Sequence, residues 1–269
     1  MWKNIHIKSW NEFNELISQM QLNNWIYRGQ CDTVWNLQSS LNREINNFHQ
    51  GFDNDACVVI EKNMIDEYLS SSHLYSPFQL KEPTTDNRKE WVRYRTEILS
   101  IMQHYGTPTR LLDWTYSPYI ATFFAVDGAD DDFAIFALNI KELERLNEEH
   151  YGADVYRELK NHIFDEEIKD ERFLFRFDPT QKNERIRKQQ GLFIVPSVIN
   201  KTIDEILSVY RIEDGKIGGT YVAFKYIFKK RDVLEYWHKL RQMNITHETI
   251  YPGFEGFCKS LKLNIFVSE

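Results

Sequence analysis

The sequence predicts an α/β fold, α+β in the way its elements segregate, built as one domain over residues 1–269. Three observations carry this. Short apolar or alternating runs bounded by turn residues recur along the chain and read as strands. Between them lie longer stretches whose apolar residues fall at helical spacing. No repeat, low-complexity tract or Pro/Gly/Ser-rich linker divides the chain, and 42% hydrophobic residues with only 11 Gly and 7 Pro supply a sizeable core.

The elements follow in order. Ser9 and Glu12 have capping-box spacing ahead of Phe13, Leu16, Ile17 and Met20, which predicts a helix over about 10–21. Trp25 to Arg28 reads as a short strand. Val58, Val59, Met64, Ile65 and Leu69 predict a helix from about Asp55 to Ser71, and Trp91, Tyr94, Ile98, Ile101 and Met102 another from about Asp86 to Gln103. Gly106 and Pro108 end that helix and lead into an extended segment, Arg110 to Trp114. Ser117 and Pro118 are N-cap and N1 residues for a helix to about Val126. The acidic turn Asp127 to Asp132 lacks EF-hand spacing, reads as solvated, and precedes a strand from Phe133 to Leu138. A charged helical stretch then runs to about Arg172, and the region near 140–185 reads as an insertion or outer layer. A strand over Leu192 to Pro196 comes next, followed by a helix around Ile203 to Tyr210. Beyond the turn holding Asp214, Gly215, Gly218 and Gly219 lie a strand from Tyr221 to Phe228, a helix with Val233, Leu234, Trp237 and Leu240, and a last helix over about Phe254 to Leu261.

Composition excludes several classes. Thirty-three Lys and Arg against 40 Asp and Glu give a net charge of −7, so bulk charge does not recruit a polyanion. Cys31, Cys57 and Cys258 are odd in number and far apart, which suits buried thiols in a reducing compartment. Met1 to Trp10 lacks the apolar region of a signal peptide, and no apolar run approaches the roughly 18–20 residues of a membrane span. A cytoplasmic protein with no membrane partner is the expectation. Walker A, G-x-G-x-x-G, G-x-S-x-G and His-Glu-x-x-His sequences are all missing, and no metal site is expected.

Two segments concentrate chemistry. In Trp25-Ile26-Tyr27-Arg28-Gly29-Gln30 an arginine ends an apolar strand beside a glycine. A guanidinium cannot be neutralised and offers a planar fork of donors, so Arg28 needs an anion: either an internal acid such as Asp113, or a carboxylate or phosphate ligand to which Gly29 allows a close backbone approach. The second segment, Gln103-His104-Tyr105-Gly106-Thr107-Pro108-Thr109-Arg110-Leu111-Leu112-Asp113-Trp114-Thr115, crowds polar groups into one turn and strand. They are costly to bury unless they pair with one another or with a ligand. Lys229, Lys230 and Arg231 read as a basic surface turn.

Tyr27-Arg28-Gly29-Gln30 together with QHYGTPTRLLDWT-x-SP-x-x-A-x-x-FA over 103–125 resembles the bacterial FRG domain family, named for an (F/Y)-R-G motif. Gln190-Gly191-Leu192-Phe193 and Ile250-Tyr251-Pro252-x-Phe254-x-Gly256 are similar to later stretches of the family. More distantly, the chain resembles ADP-ribosyltransferases of the Arg-Ser-Glu type. That resemblance implies a mixed, split β-sheet wrapped by helices. It also implies a first-strand arginine holding NAD, matched by Arg28, and a second strand ending in Ser or Thr that runs into a helix, matched by Trp114-Thr115-Tyr116-Ser117-Pro118 with Ala121 and Phe124-Ala125. A catalytic glutamate is implied on the third strand, where this chain has Gln189 and Gln190 instead.

These resemblances imply a cleft in which Arg28, Asp113 and Gln190 carry catalysis while Tyr27, Gly29, Gln30, His104, Tyr105, Arg110, Trp114 and Thr115 bind substrate. Arg28 would clamp phosphate or ribose, and Asp113 would orient the arginine or stabilise the ribosyl cation formed when NAD is cleaved. The implied activity is ADP-ribosyl transfer to a macromolecular acceptor, protein or nucleic acid, or NAD hydrolysis, as in a toxin or anti-phage effector. The competing expectation, favoured by the absent glutamate, is a non-catalytic binding module recognising a protein or nucleotide ligand.

Overall fold

The computed structural model describes residues 1–21, 23–75, 80–165 and 170–262. In chain order the elements are β1 (Lys3–His6), α1 (Trp10–Ser18), β2 (Trp25–Gln30), α2 (Ser40–Phe48), α3 (Asn54–Ser71), α4 (Arg88–His104), β3 (Leu112–Thr115), α5 (Pro118–Val126) and β4 (Phe133–Asn139). They continue with α6 (Ile140–Tyr151), α7 (Ala153–Asn161), β5 (Leu174–Phe177), α8 (Glu184–Lys188), β6 (Gly191–Pro196) and α9 (Ile203–Leu207). Last come β7 (Lys216–Ile217), β8 (Thr220–Tyr221), β9 (Ala223–Phe228), α10 (Val233–Gln242), α11 (His247–Ile250) and α12 (Gly253–Ser260). No helix among the described residues is long and apolar enough to cross a membrane.

Seven strands form a mixed sheet in the order β1-β9-β4-β2-β3-β6-β5, parallel at β1–β9 and antiparallel at every other pairing. The predicted α/β class is thus correct. Helices cover both faces, and this explains the unbroken apolar run of β4. Phe133, Ile135 and Ala137 pack with Phe13 of α1, Phe123 of α5 and Tyr236 of α10, whereas Ala134, Phe136 and Leu138 pack with Leu143 of α6 and Ile206 of α9. A further cluster on β5 and β6 joins Phe175, Phe193 and Val195 to Ile98 and Met102 of α4.

Caps set the helix starts that matter. Ser117 accepts from the Ile120 N–H (3.3 Å) with Pro118 at the first turn, so the strand-to-helix corner between β3 and α5 is closed locally. Thr202 and Glu205 form a full capping box on α9. On α1, Ser9 caps Glu12 but the Glu12 carboxylate reaches back to the Lys8 N–H (2.7 Å).

Several elements depart from the sequence reading. The region near 140–185 contains helices α6 and α7, but it also supplies the edge strand β5. Its Leu143, Leu146, Tyr156, Ile163 and Phe164 are buried, so it completes the core and is not an outer layer. The acidic and basic turns close on each other: Lys229 Nζ lies 2.7 Å from Asp132 Oδ2, and the Lys230 N–H donates to Asp132 Oδ1 at 3.0 Å. Of the thiols, Cys57 alone is fully buried; Cys31 is half-buried and Cys258 exposed, and all three are free.

Gly29 fixes how α5 sits on the sheet. A Cβ there would lie 2.0 Å from the Ala121 carbonyl oxygen and 2.7 Å from the Ala125 nitrogen, so the helix backbone occupies the space a side chain would need. Gly256 plays the same part at the α11–α12 corner, 2.0 Å from the Tyr251 carbonyl oxygen. Gly29→Ala must push α5 off the strand. It should cost about 1–3 kcal/mol or more, as overpacking does, read as a lower urea midpoint; an unchanged midpoint would contradict this contact.

Candidate functional site

The sheet is nearly cut in two. β2 pairs with β4 along all six of its residues and β3 with β6 along all four, yet β2 and β3 pair with each other only at Tyr27 and Thr115. A regular antiparallel ladder would continue with Arg28 opposite Trp114 and Gly29 opposite Asp113. Instead the strands part there, and Arg28 spans the opening: its Nη1 donates to the Asp113 carbonyl oxygen at 2.5 Å. A side chain supplies the bond that a ladder N–H would have made.

The opening is lined by a cavity of about 270 Å³, at the small end of ligand-binding cavities. Tyr27, Arg28 and Gly29 enter from β2, Asp113, Trp114 and Thr115 from β3, and Phe124 from α5. Arg185, Ile186 and Gln189, on and just after α8, close the far side ahead of β6. Two buried N–H donors on residues of this lining, Arg28 Nε and Trp114 Nε1, have no partner among the described residues. Burial pushes the Arg28 guanidinium down from its ordinary range; the Asp113 charge opposes this, and Arg43 adds to it. Arginine cannot shed its proton to escape that cost. The arrangement therefore favours an oxyanion in the cleft.

Asp113 is exposed, and its Oδ2 accepts from Gln103 Nε2 at 2.8 Å; Gln103 in turn accepts from the Thr109 hydroxyl. A carboxylate and a guanidinium thus border one small cavity without forming an ion pair. The Thr115 hydroxyl is committed to structure, donating to the Gln189 carbonyl (2.7 Å) and accepting from the Ser117 N–H (3.0 Å). Tyr27 is buried, its hydroxyl donating to Met20 Sδ at 3.1 Å, and burial pushes its phenol up.

Other residues of the expected cleft lie elsewhere. Arg110 is completely buried in a core site of its own. Its Nε donates to both Glu61 oxygens (2.9 and 2.8 Å), Nη2 donates to Glu61 Oε2, Nη1 donates to the Ile163 carbonyl (3.0 Å), and Phe164 lies beneath at 5.0 Å. It is a structural arginine joining α3, β3 and the segment before β5. Gly29 does not admit a ligand on its Cα side, because α5 fills that space. Gln30 is buried at the end of β2, outside the cavity lining, with Oε1 unpartnered among the described residues. Gln190 is exposed with φ of 47°, its carbonyl accepting from the Tyr116 N–H (3.1 Å); Gln189, one residue earlier, is the glutamine that lines the cavity.

His104 and Tyr105 line a second, larger cavity of about 1520 Å³ between α3, α4 and the segment 180–187. Their rings meet edge to face at 4.9 Å, and Tyr105 is 81% exposed. Burial and the nearby Arg185 hold the His104 imidazole below its ordinary range, against the pull of Glu255, so it is neutral at pH 7. Ile186 of α8 lines both cavities, making this one-turn helix their shared wall. Arg185 is the site residue that the sequence reading missed. It stands in a run of charged residues, and only the return of the chain from α8 into β6 brings it to the same cavity lining as Arg28.

The two arginines should respond oppositely to truncation. Arg110→Ala or Glu61→Ala strands a buried charge and should cost about 3–5 kcal/mol. Arg28→Ala loses one hydrogen bond and removes a desolvated cation, so it should change stability by about 1 kcal/mol or less. Chemical denaturation of the three variants checks both outcomes, and a severe loss in Arg28→Ala would place Arg28 among the structural residues.

No curated protein and no solved structure matches this chain. The family model of the FRG domain matches residues 23–133, from the turn before β2 to the first residue of β4. That span holds Tyr27-Arg28-Gly29 and the whole of β3 and α5, whereas Arg185, Gln189 and β6 lie beyond it. Over residues 23–133 the chain is similar to the FRG domain family.

Proposed function

We propose that the cleft between β2 and β3 binds NAD or a similar nucleotide, with Arg28 on a phosphate or ribose oxygen, and that the chain cleaves NAD. One observation carries this reading: Arg28, whose buried Nε has no partner among the described residues, lines a cavity that a carboxylate, Asp113, also borders. In the reaction the bond between ribose C1′ and the pyridinium nitrogen breaks, and its electron pair leaves with neutral nicotinamide. A nucleophilic oxygen or nitrogen of a protein or nucleic-acid acceptor, or of water, bonds to C1′ and gives up a proton. Asp113 stabilises the positive charge that develops on the ribose. The element order supports the likeness to ADP-ribosyltransferases: a first strand with arginine, a second ending in Thr115 and running into α5, and a third, with β3 lying between the other two. Such an activity suits a toxin or an anti-phage effector.

A second reading, a binding module without catalysis, is favoured by Gln189 and Gln190, which stand where a third-strand carboxylate is sought. The test is nicotinamide release from NAD by the purified protein, with and without cell extract. Wild type should release it, Arg28→Ala should lose binding and release together, and Asp113→Asn should bind NAD while its turnover falls by at least about tenfold. If wild type shows neither release nor a thermal shift with NAD, the nucleotide reading is wrong.

A further inference from the structure

The larger cavity, about 1520 Å³ between α3, α4 and the segment 180–187, has no part in the nucleotide reading. α4 turns one face to it: Glu97, Ser100, Ile101 and His104 all line it, at the i, i+3, i+4 and i+7 spacing that falls on one side of a helix. Glu97 and Ser100 are each only 6% exposed. The Glu97 carboxylate is held by one oxygen, Oε1, which accepts from the Thr180 N–H at 2.7 Å and from the Thr180 hydroxyl. Its Oε2 and the Ser100 Oγ have no hydrogen-bond partner among the described residues, and neither is among the side-chain atoms closed off from solvent. The space open to them is the cavity that both residues line.

A carboxylate taken out of water without a cation keeps most of its desolvation cost. Among the described residues Glu97 makes no ion pair: of the cations in the lining, Lys182 lies 4.0 Å from Asp178, and Arg187 is exposed. The other lining carboxylate, Glu67, is exposed and accepts from the Ser71 hydroxyl at 3.4 Å. The surroundings of Glu97 are apolar, with Met64 from α3, Met102 from α4 and Ile186 from α8. Leu74, Tyr75 and Tyr105, 71%, 87% and 81% exposed, add large apolar side chains to the same lining. One buried carboxylate beside a hydroxyl in an apolar enclosure suits an organic cation. We propose that this cavity binds a small hydrophobic amine, whose ammonium donates to Glu97 Oε2 and Ser100 Oγ while its apolar body lies against the Met and Ile walls. The site is separate from the β2–β3 cleft, with which it shares only Ile186, and it stands independently of the nucleotide reading.

Calorimetric titration of the intact chain at pH 7 with 4-phenylbutylamine, 4-phenylbutanol and 4-phenylbutanoate tests the assignment, since the three share one apolar body and differ in the head group. Wild type should bind the amine at least about tenfold more tightly than the alcohol, and the carboxylate most weakly. Glu97→Gln keeps an amide oxygen for the Thr180 donors, so it should retain the wild-type melting temperature while the amine falls to the affinity of the alcohol. Ser100→Ala should weaken the amine by about fivefold or more through one lost hydrogen bond, and this arm holds even if Glu97→Gln does not fold. Equal affinities for amine and alcohol in wild type, a folded Glu97→Gln that keeps the preference, or an unchanged amine affinity in Ser100→Ala would each overturn the site. Tightest binding of 4-phenylbutanoate would assign the cavity to its cations and overturn it as well, as would a wild-type chain that binds none of the three. Acetyl-Leu-Lys-Leu-amide binding more tightly than 4-phenylbutylamine would give the carboxylate to a protein's lysine and overturn the small-molecule assignment.

Discussion

Everything at the site depends on a ladder that stops. β2 and β3 share a single register pair, and past it the backbone groups that would have bonded across the sheet must be satisfied otherwise. A guanidinium can do this because it is long enough to cross the opening and has donors to spare; one nitrogen satisfies Asp113, and Nε, buried, has no partner among the described residues. The opening persists because each flank is held independently. β4 and α5 hold β2, through full strand pairing and the bare Cα of Gly29, while β6 and the Arg110–Glu61 pair hold β3 and its approach. The unusual polar density of residues 103–115 thus divides into two purposes. Arg110 is buried to build a wall, and Asp113 is left exposed on the other side of it.

Much of this was legible in the sequence, for identifiable reasons. β4 and α5 were readable because Phe133–Leu138 is apolar throughout and Ser117-Pro118 is a strong local start signal. Several elements were not. β1 is a four-residue edge strand whose side chains alternate between exposed and half-buried, so it carries no apolar signature. α2 is rich in asparagine, a weak helix former, and is held by the Ser39 cap and the burial of Leu41 and Ile45. β5 is three apolar residues and an arginine embedded in charged sequence, and α8 is a single charged turn.

The site shows the same limit more sharply. Arg28 stood out because an arginine closing an apolar strand is rare in itself. Arg110 looked equally chemical, yet its partner Glu61 lies 49 residues away and no spacing rule links them. Arg185 looked inert for the converse reason: among many surface charges, only tertiary placement distinguishes the one that faces a cavity. Local sequence identifies groups that need a partner, but only the fold shows which have found one.

The buried Arg110 also bears on how the molecule is built in time. Its guanidinium gathers segments 49, 53 and up to 87 residues distant, so each of its bonds closes a long loop. The β2–β4–β9 half of the sheet closes longer loops still, with Trp25 opposite Asn139 and Phe133 opposite Phe228. The cleft comes into existence only when the two halves meet at Tyr27 and Thr115. A nascent chain therefore completes the lining of the opening only once residues up to Phe193 have been made, long after the strand that bears Arg28.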